Sequence, residues 1–314
     1  MTRCLCMILI LVMTTAAGLA EDRSTGASIF RDVAGRFRPD KPTAVMTYDV
    51  TYALFHIRLK RVAGATIKAT EGVWRSGASQ KWIPACMIDF EVASPQTGDG
   101  SVRLFKRTLS VLTMPDLKIL VYAKQNDESI KPLLWGQPRV MKYREFYDFE
   151  SNTLDFHRYD MITGAIDTNL VNGADLARQS LEVADVLRSL YATYHDESVL
   201  ARVGANKVHF NVEGTIRTFV LKMTKGTQTV PVLSRKLAAL YAEVNPEERS
   251  ASLNESFSMW CVPFSVFARE TKDSELIRLA GMSLDYSMLP LSGEYALFLG
   301  SLQCSLVGAR AQSL

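Results

Sequence analysis

Alternation between apolar and polar residues recurs along most of this chain and predicts β-strands. Val208, Phe210 and Val212 share one parity, and polar residues occupy the positions between them. A strand with one packed face and one face in water has this period of two. Similar alternation predicts further strands at 81–92, 102–112 and 117–124.

The connections between these segments are short, so neighbouring strands are expected to run antiparallel. Residues 140–160 predict a hairpin whose turn lies at 150–152. Nearer the N-terminus, the apolar parity changes between Leu54 and Phe55, which predicts a β-bulge within a continuous strand. The pattern therefore favours an antiparallel sheet with local irregularities.

One segment has the period of a helix instead. Asn172 is placed to cap a helix that ends near His195, and apolar residues recur along it at spacings of three and four. A short second helix is predicted at 234–241. Strand patterns resume at 257–268, 276–286 and 294–306. The sequence thus predicts a mainly-β fold: a curved antiparallel sheet, as an open or half-closed barrel, with a central helix at 172–195.

The first 20 residues have the layout of a cleavable secretory signal. Arg3 gives a positive start, an uncharged apolar run follows, and small residues precede the expected cut after Ala20. A periplasmic or secreted location is therefore expected, with no transmembrane span once the signal is removed. Residues 21–43 are interpreted as a flexible lead-in. Residues 44–308 are interpreted as a single antiparallel β domain, which could consist of two similar halves around the helix.

Composition narrows the range of partners. The 314 residues carry a net charge of only +3, and basic residues are interspersed with acidic ones. Nucleic-acid binding needs a basic face that neutralises phosphates, so it is not expected. After the signal, Cys86, Cys261 and Cys304 remain. They allow at most one disulfide bridge and form no zinc or redox motif.

The sequence contains no recognisable motif for catalysis, metals or cofactors. Its four histidines lack metal-binding spacing, and no nucleophile elbow, P-loop or dinucleotide-binding glycine motif occurs. Asp148 and Glu150 are carboxylates of one parity on the predicted hairpin, and paired carboxylates can perform acid–base chemistry. Exposed acids on a sheet are nevertheless ordinary. We therefore expect no enzyme, cofactor or metal, with a carboxylate-dependent hydrolase as the enzyme alternative.

The predicted hairpin also carries a cluster of aromatic residues, and Trp260 adds another large side chain. A hydrophobic core is the plain interpretation of such a cluster. The sharper interpretation is an aromatic-lined cavity for an apolar ligand on the concave face of a curved sheet. The predicted lining residues are Tyr143, Tyr147, Phe149, Phe156, Val208, Phe210 and Trp260.

Several short motifs, in their order along the chain, resemble an exported bacterial family that is known only as a domain of unknown function. They are Tyr48-Asp49-Val50, Phe149-Glu150-Ser151, Asp185-Val186-Leu187-Arg188-Ser189-Leu190-Tyr191, Leu289-Pro290 and Leu299-Gly300-Ser301-Leu302. That family is similar in architecture to the periplasmic lipoprotein carriers, in which a curved antiparallel sheet half-closes around helices. The resemblance implies an envelope location and a hydrophobic groove, and it implies no catalytic residues.

Two functional hypotheses follow. The leading one is non-enzymatic binding of an apolar or lipid-like ligand, so that the partner is a hydrophobic small molecule or a lipid. The alternative is an envelope scaffold or protein-interaction module with a filled core, whose protein partner the sequence does not identify. The interior discriminates between them, because a packed interior with an exposed apolar patch favours the second.

Overall fold

The computed structural model describes residues 35–54, 57–94, 105–113, 119–130, 139–148, 153–160, 166–168, 189–196, 206–212, 215–247, 256–282, 288–297 and 300–313. These residues form fifteen strands: β1 (Phe37–Pro39), β2 (Thr43–Leu54), β3 (Ile57–Arg75), β4 (Trp82–Ala93), β5 (Phe105–Thr113), β6 (Ile119–Ile130), β7 (Arg139–Asp148), β8 (Thr153–Asp160), β9 (Ile166–Thr168), β10 (Asn206–Val212), β11 (Thr215–Val230), β12 (Arg235–Pro246), β13 (Phe257–Pro263), β14 (Met288–Leu297) and β15 (Gly300–Gln312). The helices described are α1 (189–195), α2 (Phe264–Thr271) and α3 (Ser274–Met282), with a 3-10 turn at Pro231–Leu233.

The strands form one antiparallel sheet in the order β10-β11-β12-β13-β14-β15-β2-β3-β4-β5-β6-β7-β8-β9, and β1 pairs with β3. Strands β2 to β9 and strands β10 to β15 are two meanders, in which each strand pairs with the next one along the chain. They join because β15 pairs with β2. Strands β9 and β10 stand at opposite ends of this order, so the described sheet is open. The predicted mainly-β antiparallel architecture is confirmed.

One side of the sheet, called here the core side, carries the main hydrophobic core. Alternate residues of β2 and β3 are buried there, as alternation within a strand requires. The two helices that follow β13 add fully buried side chains to the same cluster, which include Phe264, Phe267, Leu276 and Leu279. Burial of apolar surface on this side is the main source of stability.

A second, smaller core lies near the end of the β3–β4 hairpin. Its fully buried centre is Trp74, and β1 covers it from the N-terminal side with Phe37. The strand β1 approaches β3 so closely that a Cβ on Gly72 would meet the carbonyl of Arg38 at 2.1 Å. Only glycine permits this contact. The strand β1 therefore lies within the segment interpreted as a lead-in, and it is paired through Phe37–Pro39.

A hydrogen bond ties the N-terminal meander to the C-terminal one across the core side. The pairing of β13 with β14 shifts register between Trp260 and Cys261, which leaves Leu291 as an extra residue beside Pro290. The buried hydroxyl of Tyr48 in β2 donates to the Pro290 carbonyl at 3.1 Å. A buried carbonyl without a partner is costly, so Tyr48 stabilises the β14 irregularity.

The predicted second helix at 234–241 is wrong, because this segment begins β12. Leu237 and Leu240 are both buried, and their spacing of three residues imitates one face of a helix. Ala239, which pairs with Gly226, is buried as well. A strand that is buried on both faces loses the period of two, so its residue pattern no longer distinguishes it from a helix.

The strand predicted at 257–268 is only partly correct, and the strand predicted at 276–286 is wrong over residues 276–282, which belong to α3. A strand covers Phe257–Pro263, but α2 and α3 follow it. The Asp273 carboxylate accepts hydrogen bonds from the amides of Glu275 and Leu276 at 2.9 and 3.1 Å, and thereby caps α3. The apolar residues of α3 fit the period of a strand as well as that of a helix. The Asp273 cap is the sequence signal that indicates a helix.

Three further predictions are settled in part. The bulge predicted near Leu54 and Phe55 is confirmed in part, because the pairing of β2 with β3 shifts register between Tyr52 and Ala53. The predicted continuous strand is wrong, since β2 ends at Leu54 and pairs antiparallel with β3 from Ile57. The helix predicted at 172–195 ends at His195, as α1 shows, and residues 169–188 lie outside the described residues. The three cysteines Cys86, Cys261 and Cys304 are buried, and no disulfide forms among them.

Candidate functional site

A polar groove of about 210 Å³ lies across β11 to β15. It is on the side opposite the core side: Met259 and Cys261 are buried in the core, so the intervening Trp260 faces the other way. This side is called here the groove side. The aromatic lining residues are Tyr241 and Trp260, and the polar ones are Gln228, Ser258, Ser292, Glu294, Gln303 and Ser305.

The groove forms because the sheet curls toward the groove side. The Gln228 amide on β11 donates to the Ser292 hydroxyl on β14 at 3.0 Å. In a flat sheet these strands would be about 14 Å apart, since each strand spacing is about 4.8 Å. The turn at Pro231–Leu233 also contacts β15. The end of the β11–β12 hairpin therefore bends over β13 to β15 and makes one wall of the groove.

Two aromatic rings form the apolar part of the groove. The centroid of the Trp260 ring lies 5.0 Å from that of Tyr241, and the rings are tilted by 49°. The far edge of the indole lies against Gly226, where a Cβ would come within 2.8 Å of it. Gly226 is thus required by the close approach of the ring. Tyr241 and Trp260 are paired residues of β12 and β13, so strand register fixes their contact.

The polar residues form two rows across the strands. In one row, Ser258 pairs with Glu294, which pairs with Gln303. In the other, Trp260 pairs with Ser292, which pairs with Ser305. Directly paired residues of antiparallel strands project to the same side, so both rows face the groove. The register alone therefore aligns hydroxyl, amide and carboxylate groups beside an aromatic face.

A charged pair continues the second row beyond the groove. Ser305 pairs with Asp49 of β2, and the Asp49 carboxylate lies 3.0 Å from the Arg61 guanidinium. The Arg61 side chain is 60% exposed and the Asp49 side chain 36%, so water screens this ion pair and it adds little stability. It extends the polar surface from the groove to the centre of the sheet, where the two meanders join.

The lining offers binding groups rather than a catalytic constellation. Hydroxyl and amide groups can both donate and accept hydrogen bonds, and Glu294 adds an acceptor. Among the residues that the structure describes, no three histidine, cysteine, aspartate or glutamate side chains come together as a metal site. Burial raises the pKa of the Cys304 thiol to about 12, so this cysteine is not a nucleophile at neutral pH.

Of the residues predicted to line an apolar cavity, the structure describes the side chains of Val208 and Trp260. Val208 is buried in the main core, and Trp260 packs against that core and also lines the groove. For Tyr143, Tyr147, Phe156 and Phe210 the structure describes the backbone alone, and Phe149 lies outside the described residues. Their role in ligand binding stays a prediction.

Backbone register does place part of the aromatic hairpin on one side of the sheet. Tyr147 pairs with Leu154, and Phe156 pairs with Glu145, two residues before Tyr147. These positions therefore share a side of the sheet. The carboxylate pair considered for catalysis is not placed, because Glu150 and the Asp148 side chain lie outside the described part of the chain.

Most residues of the groove carry no distinctive signal in the sequence. Trp260 is a predicted lining residue, but Gln228, Ser292, Glu294 and Gln303 are ordinary polar residues of strands. One signal was available: Gly226 lies in the interior of a strand pattern, which indicates a close approach by another group. The curl that assembles the groove has no signature in the sequence.

No protein-family model matches this chain, and no curated protein or solved structure is significantly similar to it. The resemblance to an exported family of lipoprotein-carrier architecture therefore stays a prediction. Among the described residues, no helix has the length and apolar character needed to cross a membrane.

Proposed function

We propose that this chain is an exported, non-enzymatic binding protein, and that the groove on β11–β15 holds a small saccharide. The observation that carries the proposal is the pairing of Trp260 and Tyr241 next to two rows of polar side chains. A sugar ring has an apolar C–H face and a rim of hydroxyl groups. It therefore matches an aromatic wall that is flanked by hydrogen-bonding groups.

The size and polarity of the groove support this ligand class. A volume of about 210 Å³ fits one sugar residue or a small part of a chain, and not a lipid. Ser258, Ser292 and Ser305 can each donate or accept, so they can follow the hydroxyl pattern of a ring. Export rests on the leader pattern of the first 20 residues.

Saturation-transfer NMR with glucose, N-acetylglucosamine and cellobiose tests the proposal, with citrate and lysine as polar non-saccharide compounds. We expect saturation transfer to at least one saccharide and to neither other compound. Trp260→Ala should abolish it, whereas Trp82→Ala, a matched change at a partly exposed tryptophan outside the groove, should not. Transfer that persists in Trp260→Ala, or no transfer to any saccharide, contradicts the proposal.

A second candidate keeps the apolar or lipid-like ligand, at the β7–β8 hairpin. The observation that favours it is the shared side of the Tyr147 and Phe156 positions. Displacement of a fluorescent fatty acid, with native mass spectrometry of the gently purified protein, tests it. Displacement that is lost in Tyr147→Ser and unchanged in Trp260→Ala would favour this site over the groove.

The alternative of an envelope interaction module also has a supporting observation. Helices α2 and α3 fill the core side beside β13 to β15 with fully buried side chains. Such a filled interior leaves the surface as the place for a partner. Cross-linking in cells should then trap one defined protein, and the absence of any cross-linked partner counts against this alternative.

A further inference from the structure

Two arginine–tryptophan contacts lie near the end of the β3–β4 hairpin, away from the groove. The guanidinium of Arg36 lies 4.1 Å from the ring centroid of Trp74, and that of Arg38 lies 4.4 Å from the ring of Trp82. Such distances are typical of cation–π contacts. Trp74 is fully buried, but Trp82 is 40% exposed, so the second contact lies at the surface.

Strand register brings more positive charge to the same place. Arg75 is the direct partner of Trp82, and Lys81 precedes Trp82 in the chain. Arg38 pairs with Val73, two residues before Arg75. These four residues, Arg38, Arg75, Lys81 and Trp82, are called here the hairpin-end patch. All four are exposed.

Among the residues that the structure describes, no ion pair neutralises the positive charge of the hairpin-end patch. The nearby Glu71 carboxylate lies 2.5 Å from the Lys41 ammonium, so the charges of these two residues cancel. Arg38, Arg75 and Lys81 form no ion pair with any residue that the structure describes. Within the described residues 35–42 and 71–82, Asp40 is the remaining acid. The patch therefore carries a net positive charge beside an exposed indole.

We propose that the hairpin-end patch docks the protein on an anionic phospholipid surface. Indole side chains partition to the interface between headgroups and acyl chains, and arginine and lysine are attracted to anionic headgroups. The contact with Trp82 holds the exposed Arg38 guanidinium beside the indole, where its N–H groups can donate to phosphate oxygens. A lipid surface fits better than a nucleic acid, because the cations are few and surround a single apolar anchor.

Vesicle co-sedimentation of the purified protein tests the proposal, with phosphatidylcholine vesicles compared with vesicles that also contain phosphatidylglycerol. Each lysine or arginine near an anionic membrane contributes about fivefold in affinity. Arg38→Ala with Arg75→Ala should therefore weaken binding to the anionic vesicles about 25-fold at low salt. Arg38→Lys with Arg75→Lys should retain most of it, because the charge is kept.

Lys222→Ala with Lys236→Ala is the control, since both lysines are exposed and lie on β11 and β12. It removes the same charge and should leave binding within about twofold. Circular dichroism of each variant checks that the fold is intact. Equal loss in the control pair, no preference for anionic vesicles, or binding to duplex DNA of the same strength at the same salt would overturn the proposal.

Discussion

The two sides of strands β13, β14 and β15 contrast sharply, although the same backbone ladder holds both. On the core side, Met259, Cys261 and Cys304 are buried against the main cluster. On the groove side, the adjacent Trp260 and Gln303 are only partly buried and line a polar groove. Adjacent residues of one strand therefore have different roles: one packs in the core, and the next lines the groove.

The contrast teaches that stability and binding are separable in this fold. Core-side burial removes apolar surface from water, which stabilises the sheet. The polar residues that line the groove, such as Gln303 and Ser305, are held in register by that sheet and remove less apolar surface from water. Substitutions on the core side should thus change unfolding, and those on the groove side should change binding.

The largest effect is expected from Phe267→Ala on α2. Phe267 is fully buried in the main core, and truncation of such a side chain costs about 3–5 kcal/mol. Urea denaturation measures the loss. Ile277→Ala, at a 40% exposed residue of α3, should cost less than about 1 kcal/mol. Similar losses for both variants would show that the helices do not pack as described.

Tyr48→Phe should lower the free energy of unfolding by about 1–3 kcal/mol, because it leaves the buried Pro290 carbonyl without its donor. The same assay reports this change. Tyr241→Phe, in the groove, is the matched control and should alter stability by less than about 0.5 kcal/mol. An unchanged free energy of unfolding in Tyr48→Phe would mean that the irregularity in β14 does not depend on this hydrogen bond.

Gly226→Ala should separate the two sides most clearly. Its Cβ would displace the Trp260 ring, so we expect at least a tenfold loss of saccharide affinity with a small change in stability. Gly281→Ala on α3 meets open space, and the higher helix propensity of alanine should stabilise by up to about 1 kcal/mol. Unchanged saccharide affinity in Gly226→Ala would show that the Trp260 indole is not part of the binding site.

The smallest effect concerns the Glu71–Lys41 pair. The Lys41 ammonium donates to the Glu71 carboxylate at 2.5 Å, and the Lys41 side chain is 32% exposed, so water screens the pair. We expect Lys41→Met to lower the free energy of unfolding by less than about 1 kcal/mol in urea denaturation. A loss as large as that in Phe267→Ala would contradict the description of this pair as a screened contact.

Local alternation was enough to predict the antiparallel hairpins, because period and turn residues are properties of neighbouring positions. It predicted β4, the β7–β8 hairpin and β10. It failed at β12, where Ala239 and Leu240 are buried on opposite faces. It failed again at α3, where the Asp273 cap decides between two periods.

The groove could not be predicted for a different reason. Gln228 and Ser292 are 64 positions apart, and their contact depends on the curl of the sheet. The register shift after Trp260 is likewise set by the pairing of β13 with β14. Such long-range geometry follows from the packed sheet as a whole, and a one-dimensional pattern does not contain it.

The most direct test of the account is a nitrogen–proton NMR spectrum of the indole groups, since the chain has four tryptophans. Addition of the saccharide that shows saturation transfer should shift the Trp260 indole signal and leave the signals of Trp74 and Trp82 unchanged. In Gly226→Ala, addition of the same saccharide should leave the Trp260 indole signal unshifted. A spectrum in which Trp260 does not respond, or in which Trp74 or Trp82 responds instead, would contradict the assignment of the groove as the binding site.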